Sequence, residues 1–217
     1  MKNLVAVLIL LLVGLPALAG TIISVGTTDP GSVGALAVDS LDVLAVSWYQ
    51  PAAQSSVRIR ANFLDSFGNG TFSAYLMNGI GPQADPLANE LASTTFSASY
   101  FGPSPVVLFD QLTLSAGFFY LVLGTTDLNS VGGWAATTSP AVILAPGVLQ
   151  GDGSGIQFFA SGGDVDSAYL PRSNFSPDDG LSYGQLMYDV TVPEPSTLLL
   201  LLGGGLALAV FGRRRTS

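Results

Sequence analysis

The 217-residue chain has no cysteine, no histidine and a single lysine, Lys2. Without cysteine there is no disulfide, no thiol nucleophile and no thiolate metal site. Without histidine there is no Ser-His-Asp triad, no imidazole base and none of the usual zinc or iron ligand sets. Basic residues are scarce between the ends. Residues 20 to 192 hold Arg58, Arg60 and Arg172 against thirteen Asp and Glu90, which leaves −11, compared with −8 for the whole chain. A surface of that sign repels phosphate backbones, so nucleic-acid partners are excluded. It suits solubility outside the cell.

The body is rich in Val, Leu, Phe, Tyr and Ala, unlike chains that stay unfolded through low hydrophobicity and high charge. At about 170 residues it can bury roughly two thirds of its unfolded surface, enough to hold a core without cross-links. Its dominant period is two. Val57, Ile59, Ala61 and Phe63 alternate with Arg58, Arg60 and Asn62, which predicts a half-buried strand with both arginines on the wet face. Phe72, Ala74 and Leu76 follow the same rule, as do Leu186, Tyr188, Val190 and Val192. Leu41 to Trp48, Val106 to Phe109 and Phe118 to Leu123 are apolar on both sides and are expected as central strands. Leu112 to Phe118 reads as strand, tight turn, strand, with Gly117 supplying a positive φ. Turn signals separate the strands: Asp29-Pro30-Gly31, Gly68-Asn69-Gly70, Gly151-Asp152-Gly153 and Ser176-Pro177-Asp178-Asp179-Gly180. One short helix is expected, capped by Asp85 with Pro86 at its first position and running to about Ala92. No period of 20 to 50 residues is present, which excludes a repeat architecture. The expected fold is all-β: an antiparallel β-sandwich, jelly-roll-like, over residues 20–191.

Both ends carry targeting signals. Lys2, the apolar run Leu4 to Leu15, the break at Pro16 and the small-x-small pattern of Ala17-Leu18-Ala19 predict a signal peptide over residues 1–19, cut after Ala19. The alternative, a permanent anchor, requires a longer apolar run. At the other end Val192-Pro193-Glu194-Pro195-Ser196-Thr197 precedes an apolar run, Leu198 to Phe211, and then Arg213, Arg214 and Arg215. The run rises about 21 Å as a helix, short of the roughly 30 Å hydrocarbon core, and Ser196, Thr197 and Gly212 can extend it into the interface. The arginines belong in the cytoplasm by the positive-inside rule, which leaves residues 20–192 outside.

Pro193-Glu194-Pro195, the short apolar helix and the terminal arginine cluster together resemble the PEP-CTERM sorting signal of Gram-negative bacteria, over residues 192–217. The resemblance implies recognition by an exosortase, an intramembrane cysteine transpeptidase, with removal of the helix and transfer of the body to the cell surface. It further implies a host that makes extracellular polysaccharide. The expected path is export, transient anchoring in the inner membrane, then the cell surface or the extracellular matrix. The two prolines offer a physical basis, since they hold an extended backbone and forbid helix start before Pro195. A plain C-terminal anchor with a proline-rich hinge is the alternative. The segment Leu44 to Leu123, with Ala45-Val46-Ser47-Trp48 and a hairpin from Leu114 to Leu123, is similar to bodies that carry this tail, and those mostly lack an assigned activity.

Candidate chemistry in the body is sparse. Asp164-Val165-Asp166, Asp178-Asp179, Asp152 and Asp127-Leu128-Asn129 place oxygens in loops, and Asp164 and Asp166 are the first candidates for a structural calcium ion. None matches the twelve-residue calcium loop, and Asp beside Gly is ordinary turn chemistry. No other cofactor is expected. Trp134, after Val131-Gly132-Gly133, is the first candidate for contact with a polysaccharide, against the commoner role of an aromatic in packing. Trp48, Tyr49, Tyr100, Tyr169 and Tyr183 are further aromatics available to a sugar. Paired carboxylates hydrolyse glycosides without histidine, but fourteen acids make some pair inevitable. The body is therefore expected to be structural or adhesive and not an enzyme, with a secreted carbohydrate-binding module as the alternative.

Overall fold

A computed structural model of the chain describes residues 20–40, 42–65, 70–80, 86–98, 103–125, 127, 129–151, 157–161, 176–178 and 184–193. The compact unit spans Thr21–Thr191, and beyond it only Gly20, Val192 and Pro193 are described. The strands are β1 (Gly20–Thr27), β2 (Val33–Val38), β3 (Asp42–Gln50), β4 (Gln54–Asp65), β5 (Phe72–Met77), β6 (Glu90–Phe96), β7 (Ser104–Leu114) and β8 (Gly117–Gly124). They continue with β9 (Gly132–Thr137), β10 (Pro140–Leu144), β11 (Leu149–Gln150), β12 (Gln157–Ser161), β13 (Ser176–Asp178), β14 (Gln185–Leu186) and β15 (Tyr188–Val192). One α-helix, α1, covers Pro86–Asn89. Among the described residues no helix is long and apolar enough to cross a membrane. The expected signal helix and C-terminal helix lie outside the described residues.

The strands form two antiparallel sheets. The first runs β10-β1-β15-β4-β9-β14, with β2 added on β9 and β7 on β4. The second runs β13-β12-β3-β8-β5-β6, with β11 added on β3. Aromatic contacts join their inner faces. Phe63 of the first sheet meets Phe72 and Phe96 of the second edge-on, with ring centroids 4.7 and 5.1 Å away. Trp48 of the second stacks on Phe119 at 5.5 Å and lies 6.3 Å from Tyr188 of the first.

Period two does what it predicts in β4. Val57, Ile59, Ala61 and Phe63 are fully buried, while Arg58 and Arg60 stand on the opposite face. There Arg58 forks onto Asp110 at 2.8 Å, and Arg60 onto Asp189, its cross-strand neighbour, at 2.6 Å. These partly exposed pairs orient the strands more than they stabilise them. β3 is apolar on both sides because both faces are covered. Leu44, Val46 and Trp48 line the core, and Val43 and Ala45 join Met77 and Val122 in a second apolar cluster with Tyr75, Ile80 and Tyr120.

Four expectations need correction. Val106 to Phe109 belong to an edge strand, because β7 pairs only with β4 among the described residues, and Val107 is half exposed. Leu112 to Phe118 is strand, turn, strand, with Gly117 at φ 147°, but it is not a hairpin. β7 lies in the first sheet and β8 in the second, so the turn carries the chain across the sandwich. The helix after Pro86 stops at Asn89, because from Glu90 onward the backbone pairs with β5 instead. Ser176-Pro177-Asp178 is strand, paired with Gln157–Phe159, where a turn was expected.

Gly132 and Gly133 show why β9 can sit inside the first sheet. A Cβ at Gly132 would stand 2.6 Å from the Phe63 ring and 2.7 Å from Phe72, and one at Gly133 would stand 2.8 Å from the Ala35 methyl. The glycine pair lets β2, β4 and the inner aromatics close on β9, and it carries Trp134 into the core opposite Phe63. Trp134 is fully buried, and its indole N–H donates to the Met187 carbonyl at 2.9 Å. Trp134→Ala should therefore lower unfolding stability by about 3–5 kcal/mol, the range for emptying a large aromatic site, as read from a urea titration.

Candidate functional site

The sorting motif starts where the last strand stops. Tyr188 and Val190 of β15 are buried in the core, and Tyr188–Thr191 pair in register with Ala61–Arg58 of β4. Burial pushes the Tyr188 phenol far up, so it stays protonated, and it donates to the Ser47 carbonyl across the sandwich. β15 ends at Val192, and Pro193 comes next with a ring in place of an amide hydrogen, which cannot extend a ladder. Pro193 is half-buried. The described part of the motif is thus an extended exit from a strand of the folded body, with no linker in between. Glu194, Pro195 and the cluster Arg213, Arg214 and Arg215 lie outside the described residues, as do Ala17 and Ala19 at the expected signal cleavage.

The glycan candidate is overturned. Trp134 has no exposed surface and offers nothing to a sugar. The reason is the glycine pair before it, which permits close packing where an exposing loop was expected. Trp48 is buried as well, while Tyr100, Tyr169 and Tyr183 lie outside the described residues. The aromatic that does reach the surface is Phe118, 43% exposed, tilted against Tyr49 with centroids 5.0 Å apart. Leu149 stands beside Tyr49 in the next strand, so three neighbouring strands present an apolar row on the outer face of the second sheet. No sequence pattern announces this row, because Tyr49 and Phe118 become neighbours only through the pairing of β3 with β8.

The acidic candidates divide. Asp164 and Asp166 lie outside the described residues, as do Asp152 and Asp179. Among the described residues no three carboxylates gather within reach of a common ion. Asp127 is turned to its own loop. It accepts the Asn129 N–H at 2.9 Å on one oxygen and the Ser130 hydroxyl at 2.7 Å on the other. Those bonds hold its carboxyl below the usual carboxylate range. Ser130 in turn accepts the Thr71 N–H, Thr125 donates to the Thr71 carbonyl at 2.8 Å, and buried Asp65 accepts the Gly70 N–H at 2.5 Å. The network clips together the two crossovers β4–β5 and β8–β9. Its chemistry, in the described residues, is that of a turn.

A recess of about 480 Å³ opens between β6 and the end of β7, lined chiefly by Leu76, Leu91, Leu112, Leu114 and Phe119. Its lining is mostly apolar, with Thr113 and Ser115 as the hydroxyl-bearing groups. It forms from strands of different sheets, so no local pattern announces it.

The clip sets a sign for acid sensitivity. Asp127 has a depressed folded-state pKa, so its contribution is complete above the unfolded value of about 3.9 and is lost as pH falls through the folded value. Wild type should exceed Asp127→Asn in melting temperature at pH 7, and the difference should shrink as the pH is taken below that of a free aspartate.

Comparison with known proteins gives one local match. The PEP-CTERM protein-sorting motif matches residues 191–215. No curated protein matches the chain. Among solved structures, a family two carbohydrate esterase from Cellvibrio japonicus is 14% identical, with a TM-score of 0.27, over 59% of this chain and 36% of that one. The corresponding esterase from Clostridium thermocellum, in complex with cellohexaose, is 17% identical, with a TM-score of 0.29, over 58% and 34%. The infectious bursal disease virus Gx strain structure is 8% identical, with a TM-score of 0.29, over 85% and 42%. The matched chain thus spans about a third of the length of the esterases, and likeness at these scores carries no functional weight. The chain thus carries a PEP-CTERM protein-sorting motif at residues 191–215.

Proposed function

We propose that this chain is an exported surface or matrix protein whose body is delivered by sorting and acts as a structural or adhesive element in an exopolysaccharide setting. A signal peptide over residues 1–19 directs export and is cut after Ala19. The apolar segment Leu198 to Phe211 then holds the chain in the inner membrane, with Arg213, Arg214 and Arg215 on the cytoplasmic side. An exosortase-like transpeptidase recognises Pro193-Glu194-Pro195, removes the helix, and leaves the body, residues 20–191 with the start of the motif, at the cell surface or in the extracellular polysaccharide.

The observation that carries this reading is the position of the motif against the fold. The matched segment begins at the end of β15, and the register of β15 with β4 is complete at Thr191. Among the described residues, cleavage after Pro193 leaves every strand and every pair of the first sheet on the retained side. Pro193, with no amide hydrogen, ends the ladder there, which supports an extended segment offered to an enzyme working at the membrane surface. The −11 body, with Arg58 and Arg60 already paired to acids, suits a soluble extracellular particle and disfavours adhesion to anionic lipid.

A second reading, a secreted carbohydrate-binding module, is favoured by one observation: the Tyr49–Phe118 pair on the outer face of the second sheet. An exposed ring, Phe118, tilted against a half-buried Tyr49 is the kind of surface on which sugar rings stack. In that reading Phe118→Ala abolishes retention on the host's own polysaccharide while Trp134→Ala acts only through stability. Retention unaffected by Phe118→Ala removes this reading.

The main proposal is tested by the mass of the C-terminal end in cells with and without the exosortase. The expected result is a mature form ending between Pro193 and Thr197 when the enzyme is present and an intact Ser217 end when it is absent. Pro193→Ala with Glu194→Ala should leave the intact end in both strains. An intact end in wild-type cells that contain the enzyme makes the tail a permanent anchor and removes the sorting step.

A further inference from the structure

Among the described residues β10 pairs with β1 alone. Its direction of hydrogen bonding is set by two bonds that flank it. The Thr28 N–H donates to the Ser139 carbonyl at 2.9 Å, and the Ala145 N–H donates to the Ile22 carbonyl at 2.9 Å. Bonded and non-bonded pairs alternate along an antiparallel ladder. Ala141 and Ile143 therefore bond toward β1, while the backbone groups of Pro140, Val142 and Leu144 point outward. The side chains are open too: Val142 is 39% exposed, Ile143 59% and Leu144 42%.

Natural sheets protect such edges with charge, proline or a bulge. Here β7 carries Asp110 and β6 begins at Glu90. β10 and its neighbour β1 carry no charge, and no charged residue occurs from Leu128 to Gly151. In a body of net charge −11 this margin is where two copies approach without opposing like charges.

We infer that β10 is a self-pairing edge, through which two copies of this chain join their first sheets antiparallel about a two-fold axis at Val142. The strand is complementary to itself in that register. Val142 of each copy exchanges both backbone bonds with Val142 of the other. Each Leu144 N–H then meets the Pro140 carbonyl of the second copy, so the proline's missing N–H orphans no outward donor. Val142 and Leu144 lie opposite Val25 and Ile23 on the core side of the sheet. In the joined sheet the Pro140, Val142 and Leu144 side chains of both copies fall on that same face and cover one another. A foreign strand would satisfy the backbone groups but would have no such symmetry to match. The contact is small, below the ~1,200 Å² of a stable complex, so association is weak and depends on the high local concentration of chains displayed together.

The chain's lack of cysteine makes the test clean. Val142→Cys places one thiol per full-length chain, in the strand position where directly bonded antiparallel Cα atoms stand about 5.5 Å apart, within disulfide range. Mild oxidation of cells displaying this variant should yield a disulfide-linked dimer on a non-reducing gel. Thr95→Cys on β6, at an exposed edge position of the other sheet, should yield none. Adding Leu144→Pro to Val142→Cys deletes an outward N–H and no bond to β1, and should abolish the dimer with an unchanged urea midpoint. Raising salt should increase the dimer, because it screens repulsion between the acidic bodies. No dimer from folded Val142→Cys, an equal yield from Thr95→Cys, persistence with Leu144→Pro, or a cross-link to a protein of different mass would each overturn the inference. The outcome is independent of tail processing, which the C-terminal mass reports separately.

Discussion

The two sheets are held together by aromatic burial, and every other property of the body depends on that contact. Phe63, Phe72 and Phe96 meet at one place in the sandwich, and Trp48, Phe119 and Tyr188 meet at another. With no cysteine in the chain, there is no disulfide to share this task. Two buried ring donors find partners in the interior, one across the sandwich and one within the first sheet. The Tyr188 phenol reaches the Ser47 carbonyl, and the Trp134 indole reaches the Met187 carbonyl, so each buried donor is satisfied where its ring packs. The glycine pair at 132 and 133 belongs to this constraint, since any side chain there would drive the strands apart.

The placement of the sorting motif depends on the same arrangement. β15 is enclosed between β1 and β4, and its inward residues Tyr188 and Val190 are core. The chain leaves the sheet at Pro193, whose ring ends the ladder by chemistry that no neighbour can compensate. The pairing of β15 with β4 is complete at Thr191, and the Pro-Glu-Pro segment begins beyond the strand. That separates the fold of the body from the fate of the tail.

Charge divides the surface in a comparable way. The arginines of β4 are absorbed in cross-strand pairs with Asp110 and Asp189, and Asp127 is absorbed in a loop clip with Ser130 and Asn129. Most of the exposed large apolar groups lie on β10 and beside Tyr49 at Leu149 and Phe118, with Leu91 and Val107 on β6 and β7. The body thus combines a large negative net charge with a margin, β1 and β10, that carries no charge.

Much of the fold was legible in the residues because the signals are local. Alternation in Val57 to Phe63 and in Leu186 to Val192 reports which side faces the core, since successive strand side chains point to opposite faces. Asp29-Pro30-Gly31 reports a capped turn, and the structure has one, with the Gly31 N–H on the Asp29 carboxylate. The tail is read from order and spacing alone. Pairing is a different matter. Whether Val106 to Phe109 is central or edge, whether Leu112 to Phe118 is a hairpin or a crossing, and whether Trp134 faces sugar or core each depend on strands distant in the chain. Sequence by itself determined the alternating strands at Val57 to Phe63, Phe72 to Leu76 and Leu186 to Val192, the acidic balance and the extended backbone at Pro193, because periodicity, charge and proline's missing N–H need no partner. Only the tertiary structure decided that Trp134 is buried, that Tyr49 and Phe118 share a face and that β10 keeps an open edge, because burial and edge status are properties of a strand's neighbours.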